Sequence, residues 1–297
     1  MEEGKASESA STATAHRFVH SLEPECNRIF YDPYAKHFLS RGYKFLLVNP
    51  FLRYVTARWY ERLLPGIARC VYIRVRYIDD CLKECIDNGL EQLVVLGAGY
   101  DTRAYRFGEL KDRVKVFEVD HPTTQVVKIE KVKNIFGYLP RHVEYVGVDF
   151  TKEEFKEKLI ESGYDGKLRT IFIWEGVTYF MPEKDIDKTL SFVASNEGEG
   201  SSIVFDYVYT SALDSSCKKM IKVRHLMEKV GEPILFGIDE GQAESFLAKR
   251  GFYHIRDVKA QEYEITYLKC FRRRWGFMEV SPYWGFVYAT VKSKDEA

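Results

Sequence analysis

Leu93-Val94-Val95-Leu96 opens directly onto Gly97-Ala98-Gly99-Tyr100-Asp101-Thr102-Arg103, and a second apolar run, Val114 to Val119, ends in Asp120. A short apolar run broken by glycines predicts a strand that enters a turn and then a helix. Gly97 and Gly99 have no Cβ, so the turn can take dihedrals closed to other residues and its backbone can approach a ligand. Asp120 stands 21 positions beyond Gly99. An acid closing the second strand can accept hydrogen bonds from both ribose hydroxyls. The arrangement suits a ligand that carries a ribose.

Few other classes survive the composition. The chain has 297 residues, 45% of them hydrophobic, enough to bury a substantial core. Lys+Arg and Asp+Glu both number 44, so no bulk field draws the whole chain to nucleic acid or a membrane, and neither partner is expected. Arg272-Arg273-Arg274 reads as a local solvated run. Cys26, Cys70, Cys81, Cys85, Cys217 and Cys270 are scattered without zinc spacing, and no metal is expected. No signal-peptide pattern and no membrane-length apolar run is visible, so the expected setting is cytoplasmic.

Residues 1–14, rich in Ser, Ala, Thr and Glu, lack apolar periodicity and read as a disordered tail. Residues 15–297 read as one domain. Within it, 15–88 form a helical N-terminal lobe, with Asp32-Pro33 as a cap and first-turn proline. Residues 89–210 alternate strand and helix, which predicts a parallel sheet with right-handed crossovers. Its strands are Leu93 to Leu96, Val114 to Val119, Val143 to Val148, Thr170 to Trp174 and Ser202 to Tyr207, with helices at Lys152 to Ser162 and Lys184 to Ala194. Residues 211–245 form a helical insertion, mainly Ser211 to Val230, that caps the site. Residues 246–297 add two strands, Gly251 to Lys259 and Tyr283 to Val291, paired antiparallel at the sheet edge and joined by a long loop.

Open α/β sheets bind ligands beyond the carboxyl ends of their strands. There lie Gly97 to Thr102, Asp120, Asp149-Phe150 and Glu175. Asp149 can accept from an adenine amine while Phe150 packs on the ring, and Glu175 would lie at the crevice floor. Arg74 shares the apolar stripe of the helix Tyr72 to Asn88 with Ile78, Cys81, Leu82, Cys85 and Ile86. An inward guanidinium needs an anion, either a ligand carboxylate or a structural acid. Arg76, two positions on, points elsewhere.

Thr102 occupies the place of the third small residue of a dinucleotide fingerprint, which weakens the case for a pyrophosphate. A nucleoside without phosphates, S-adenosyl-L-methionine, fits better than a nicotinamide dinucleotide. Two other readings stay open, a nicotinamide-dependent oxidoreductase and a non-catalytic S-adenosylmethionine-binding interaction protein.

Gly97 to Arg103, Phe117-Glu118-Val119-Asp120-His121-Pro122 and Trp174-Glu175-Gly176-Val177-Thr178-Tyr179-Phe180 resemble motifs of the leucine carboxyl methyltransferase family of class I S-adenosylmethionine-dependent methyltransferases. Tyr31-Asp32-Pro33-Tyr34, Arg74-Val75-Arg76 with Ile78-Asp79-Asp80, and Gly231-Glu232-Pro233 with Phe236-Gly237-Ile238 extend the resemblance across most of the chain. The resemblance implies an α/β fold with a Rossmann-like seven-stranded methyltransferase sheet. It implies that Arg74 holds the cofactor carboxylate, Gly97 and Gly99 back the cofactor, Asp120 binds ribose, Asp149 and Phe150 frame adenine, and Glu175 sits near the amino group. The implied reaction is O-methylation of a carboxylate on a small molecule or a protein C-terminus.

Overall fold

Alternation along the central strands sets the architecture. Leu93 and Val95 face one apolar layer while Val94 and Leu96 face the other, as the two-residue period of a strand requires. A strand buried on both faces reads as an unbroken apolar run. In the computed structural model, which describes residues 8–149, 155–214, 216–267 and 276–291, β1 (Gln92–Leu96), β2 (Lys115–Asp120), β3 (Val143–Gly147), β4 (Thr170–Trp174) and β5 (Ser202–Val208) pair in parallel. With β6 (Phe252–Lys259) and β7 (Trp284–Val291) they form the seven-stranded Rossmann-like sheet the resemblance implied, in the order β3-β2-β1-β4-β5-β7-β6. The strand order reverses between β1 and β4. The crevice at such a switch point is where open α/β sheets bind ligands.

Among the described residues the α-helices before the sheet are α1 (Glu8–Ser21), α2 (Ala35–Phe38), α3 (Arg41–Val48), α4 (Pro50–Leu63) and α5 (Ile67–Asp87). The crossovers carry α6 (Arg103–Arg106), α7 (Pro122–Phe136), α8 (Phe155–Glu161) and α9 (Glu183–Ala194); α10 (Thr210–Asp214), α11 (Lys218–Lys229), α12 (Ala243–Ala248) and α13 (Ala260–Tyr267) follow. Asn49 explains the sharp start of α4: its Oδ1 accepts from the Phe51 and Leu52 amides at 3.0 and 3.1 Å, and Pro50 fills the first turn, where no amide is needed. Asp32 Oδ1 likewise accepts from the Tyr34 and Ala35 amides, both at 3.0 Å, so it caps the turn into α2.

Two expectations are corrected, on the N-terminal tail and on the loop that joins the last two strands. Residues 8–14 belong to α1 rather than to a tail, because small residues supply the packing there: Thr14 is wholly buried and its Oγ1 donates to Ala10 O at 2.7 Å. Hydropathy does not register such a face. The insertion is helical where its main helical stretch was expected, in α10 and α11, and α12 begins at its end; between them the stretch containing Pro233, which cannot continue a helix, returns to pair Ile238 with Tyr209 beside β5. β6 and β7 pair antiparallel at the sheet edge as expected, with β7 against β5 and β6 outermost. The segment between them contains α13, and the rest of it, with Arg272-Arg273-Arg274 and Cys270, lies outside the described residues.

One ion pair sits wholly inside. Lys128 Nζ on α7 meets Glu118 Oε2 on β2 at 2.8 Å, both side chains are fully buried, and Tyr105 OH donates to the same carboxylate at 3.0 Å. Removing one partner strands a buried charge. Lys128→Met is therefore expected to cost about 3–5 kcal/mol in urea unfolding, and Lys128→Met with Glu118→Leu is expected to recover most of that loss. Asp80→Ala, at the half-exposed pair with Arg76, is expected to stay within about 1 kcal/mol of the parent.

Candidate functional site

The turn after β1 requires both of its glycines. Gly97 and Gly99 have φ of 65° and 45°, in the left-handed region where a Cβ is strained. A Cβ on Gly97 would stand 2.5 Å from Val177 Cγ2, and one on Gly99 would stand 3.2 Å from the Ala10 side chain of α1. The N-terminal helix thus walls the turn. Arg17 fastens it there, with Nε on Asp32 Oδ2 at 2.9 Å and Nη2 donating to Tyr100 O, while Thr102 Oγ1 donates to the same Asp32 oxygen at 2.7 Å.

Asp120 closes β2 beside the turn. Its Oδ2 accepts from the Gly99 amide at 2.5 Å and its Oδ1 from the His121 amide at 2.6 Å, which fixes the carboxylate toward the glycines. Burial raises its pKa, and those two amides only partly oppose the shift. Asp149, after β3, lies 4.0 Å from His121 Nε2 and so belongs to the same rim. Phe150 lies outside the described residues.

Beneath the rim is a buried network of ions. Arg74 on α5 places Nε 2.9 Å from Glu175 Oε1 and Nη1 2.8 Å from Asp206 Oδ2, with Tyr179 OH at 3.3 Å. Arg103, enclosed on all sides, places Nη1 2.6 Å from Glu175 Oε2, Nε 2.8 Å from Asp79 Oδ1, and bonds Asp101 as well. Arg106 shares Asp79 at 2.5 Å. Burial alone would raise the Glu175 pKa, but Arg103 and then Arg74 bring it down to about 2. The same opposition holds Asp101 well below the ordinary carboxyl range, with Arg103 the leading cation. His16, near Arg74, is pushed down to about 4, first by burial and then by that guanidinium.

The structure brings Gly97, Gly99 and Asp120 together at the turn and joins Arg74 to Glu175 below it. Arg74 faces inward as its stripe predicts, and the anions it meets within the chain are Glu175 and Asp206. Arg76 points away, bonding Asp80 at 2.8 Å and Ile29 O at 2.8 Å. The stripe itself is wider than expected, since α5 from Ala68 to Val75 is buried on every side. Sequence reasoning missed Asp206, whose Oδ1 also accepts from the Gly176 amide at 2.6 Å and whose Oδ2 takes Trp284 Nε1 at 3.1 Å. A lone acid inside the apolar strand Ser202 to Val208 was the available signal.

A glycine turn, a strand-end acid and a buried ionic floor at the switch point define a Rossmann-like α/β protein with a nucleoside-type crevice. The family model of the leucine carboxyl methyltransferases matches residues 10–194, and the chain belongs to that family. A Bacillus subtilis protein, YktD, provisionally named an S-adenosyl-L-methionine-dependent methyltransferase, is 35% identical over 164 residues, 54% of this chain and 53% of that protein. Relatives bearing the same provisional name occur in Streptomyces coelicolor (28% identity, 64% of this chain and 66% of the relative) and Mycolicibacterium smegmatis (25%, 82% and 80%). The chain spans about half to two thirds of the length of the first curated relatives it matches. The crystal structure of a DUF574 family protein from Streptomyces avermitilis shares the fold, with a TM-score of 0.58 at 10% identity over 95% of this chain and 97% of that one.

Glu175 gives the site a pH signature. Its folded pKa of about 2 lies below the ordinary 4.5, so it contributes stability that is complete above pH 4.5 and is lost as pH falls toward 2. The contribution is on the order of 3 kcal/mol. Acid titration of urea stability is expected to show this loss, and Glu175→Gln is expected to flatten the curve over the same window. An unchanged slope in the variant would mean that Glu175 titrates at its ordinary value in the folded protein.

Proposed function

We propose that this protein is an S-adenosyl-L-methionine-dependent O-methyltransferase that acts on the carboxylate of a small molecule or a protein C-terminus. The observation that carries the reading is the convergence of Gly97, Gly99 and Asp120 above the Arg74–Glu175 pair in one crevice. The residues fit the cofactor. The glycine turn takes dihedrals closed to other residues and holds its backbone beside Asp120, whose fixed carboxylate suits ribose hydroxyls, and Asp149 with Phe150 is assigned to adenine. Glu175, held ionised by two arginines, is assigned to the cofactor ammonium. Arg74 commits Nε and Nη1 to Glu175 and Asp206, so Nη2 is the nitrogen assigned to the cofactor carboxylate.

When bound, the cofactor supplies an electrophilic methyl group on a sulfonium. A carboxylate acceptor is already ionised at pH 7, so no side chain of this chain has to remove a proton. The chain's own part is alignment and exclusion of water, with α1 walling the turn and the insertion covering the crevice. A cytoplasmic setting belongs to the same reading, supported by the unbridged thiols of Cys26, Cys70, Cys81 and Cys85.

The test is transfer of label from methyl-labelled S-adenosyl-L-methionine to a panel of carboxylic acids and leucine-ended peptides. Base-labile label in an acceptor is expected, as a methyl ester requires. Base-stable label would exclude the carboxylate, and no label across an active-site-competent panel of carboxylates would remove it as the acceptor class.

Lysine cannot reproduce a guanidinium fork, so Arg74→Lys is expected to lower S-adenosylhomocysteine affinity by about tenfold or more, the loss of one charge-assisted contact. Arg76→Lys is expected to change it less than about twofold, because that side chain is half exposed and bonds elsewhere. Equal losses measured by calorimetry would move the anion contact away from Arg74.

A further inference from the structure

Helices α3 and α4 form a hairpin turned inside out. In α4, Phe51, Val55, Trp59 and Leu63 recur every four residues, the spacing that marks the core-facing side of an amphipathic helix. Here the stripe faces outward: Phe51 is 72% exposed and Trp59 62%, and Phe45 on α3 continues it at 72%. Polar groups anchor the other side. Arg53 Nη1 donates to Leu47 O at 3.2 Å, and Glu61 Oε1 accepts from the Gly66 and Glu279 amides at 2.9 and 3.1 Å.

The charge of the hairpin is as lopsided as its hydropathy. Arg41, Lys44, Arg58 and Arg62 reach solvent, whereas Glu61, the only acid between residues 41 and 63, is turned inward and burial raises its pKa. Beside it, between α2–α3 and α7, lies a cavity of about 430 Å³ lined by His37, Arg41, Lys44 and Lys131, with Glu130 its one acid. Cations crowd there. Burial, then Lys36 and Lys44, lowers the His37 pKa; burial, then Lys44, lowers that of Lys131, which Glu130 only partly offsets.

We propose that this hairpin docks on an anionic lipid surface, with Phe45, Phe51, Val55 and Trp59 entering the boundary between headgroups and acyl chains and the Arg41–Lys44–Lys131 cavity receiving a lipid phosphate. Exposed aromatics rimmed by basic residues are the composition of helices that lie in a membrane interface. The basic rim complements an anionic leaflet. A second copy of the chain fits worse, because a two-fold contact would set the same basic rim against itself. The balanced whole-chain charge, which argued against a membrane, averages over this local excess. The inference stands on the hairpin and the cavity beside it and does not rest on the methyl-transfer reading.

Flotation of the full chain with vesicles tests it. The protein is expected to float with equimolar phosphatidylcholine and phosphatidylserine and to remain behind with phosphatidylcholine alone. Arg41→Ala with Lys44→Ala is expected to lower partitioning about 25-fold, at about fivefold per basic residue near an anionic surface. Phe51→Glu with Trp59→Glu is expected to abolish flotation while keeping the native circular-dichroism melt; if that melt is lost, the Arg41/Lys44 variant and the contrast between vesicles decide. Failure of the parent protein to float overturns the proposal. So does undiminished flotation of the folded glutamate variant, or a dimer seen by light scattering that the same variant abolishes while no vesicle is bound.

Discussion

The guanidinium of Arg103 is fully enclosed, and its nitrogens reach three carboxylates from three parts of the chain: Asp79 on α5, Asp101 in the turn after β1, and Glu175 after β4. Arg74 extends the connection from Glu175 to Asp206 on β5, and Arg106 returns to Asp79. These contacts fix the loops at the carboxyl ends of β1 and β4, and β5 itself, relative to the long helix of the N-terminal lobe. The crevice has its shape because those loops cannot move independently. Arg17 adds α1 to the same assembly through Asp32 and Tyr100.

Burying so many ions is a poor way to stabilise a fold. Desolvation of each charge offsets much of the mutual attraction, and apolar replacements of equal volume are often as stable. Its evident result here is position: carboxylates set at fixed places in a low-dielectric floor, with Asp101 and Glu175 kept ionised by their arginines. Four guanidiniums, of Arg17, Arg74, Arg103 and Arg106, face five carboxylates, of Asp32, Asp79, Asp101, Glu175 and Asp206, leaving one negative charge in excess. Under the proposed reading that excess suits a cofactor carrying a sulfonium and an ammonium. The Lys128–Glu118 pair is different, because it balances itself within the core.

The sheet was legible because its signals are local. Apolar runs, glycine turns and strand-end acids each report on a few neighbouring residues, so β1 to β5, the turn at Gly97 and Gly99, and the place of Asp120 could be read directly. The inward face of Arg74 was legible from helical spacing. Its partners were not, since Asp206 lies 132 positions away and no short-range pattern links the two. The first half of α1 was missed for another reason: Ala10 and Thr14 pack by being small, and a hydropathy pattern records only large apolar side chains. The α3–α4 hairpin lies outside the reach of hydropathy in the opposite sense, for its apolar stripe is plain in sequence while its outward face is set by packing alone.

The central claim is that Asp120 and the glycine turn form a ribose site for S-adenosyl-L-methionine rather than for a dinucleotide. Calorimetric titration of the parent protein and Asp120→Ala with S-adenosylhomocysteine and with NAD tests it most directly. The account predicts saturable binding of S-adenosylhomocysteine, none of NAD, and a loss of about 1–3 kcal/mol of binding free energy in a folded Asp120→Ala variant. Binding of NAD in place of S-adenosylhomocysteine, or unchanged affinity in the variant, would contradict it.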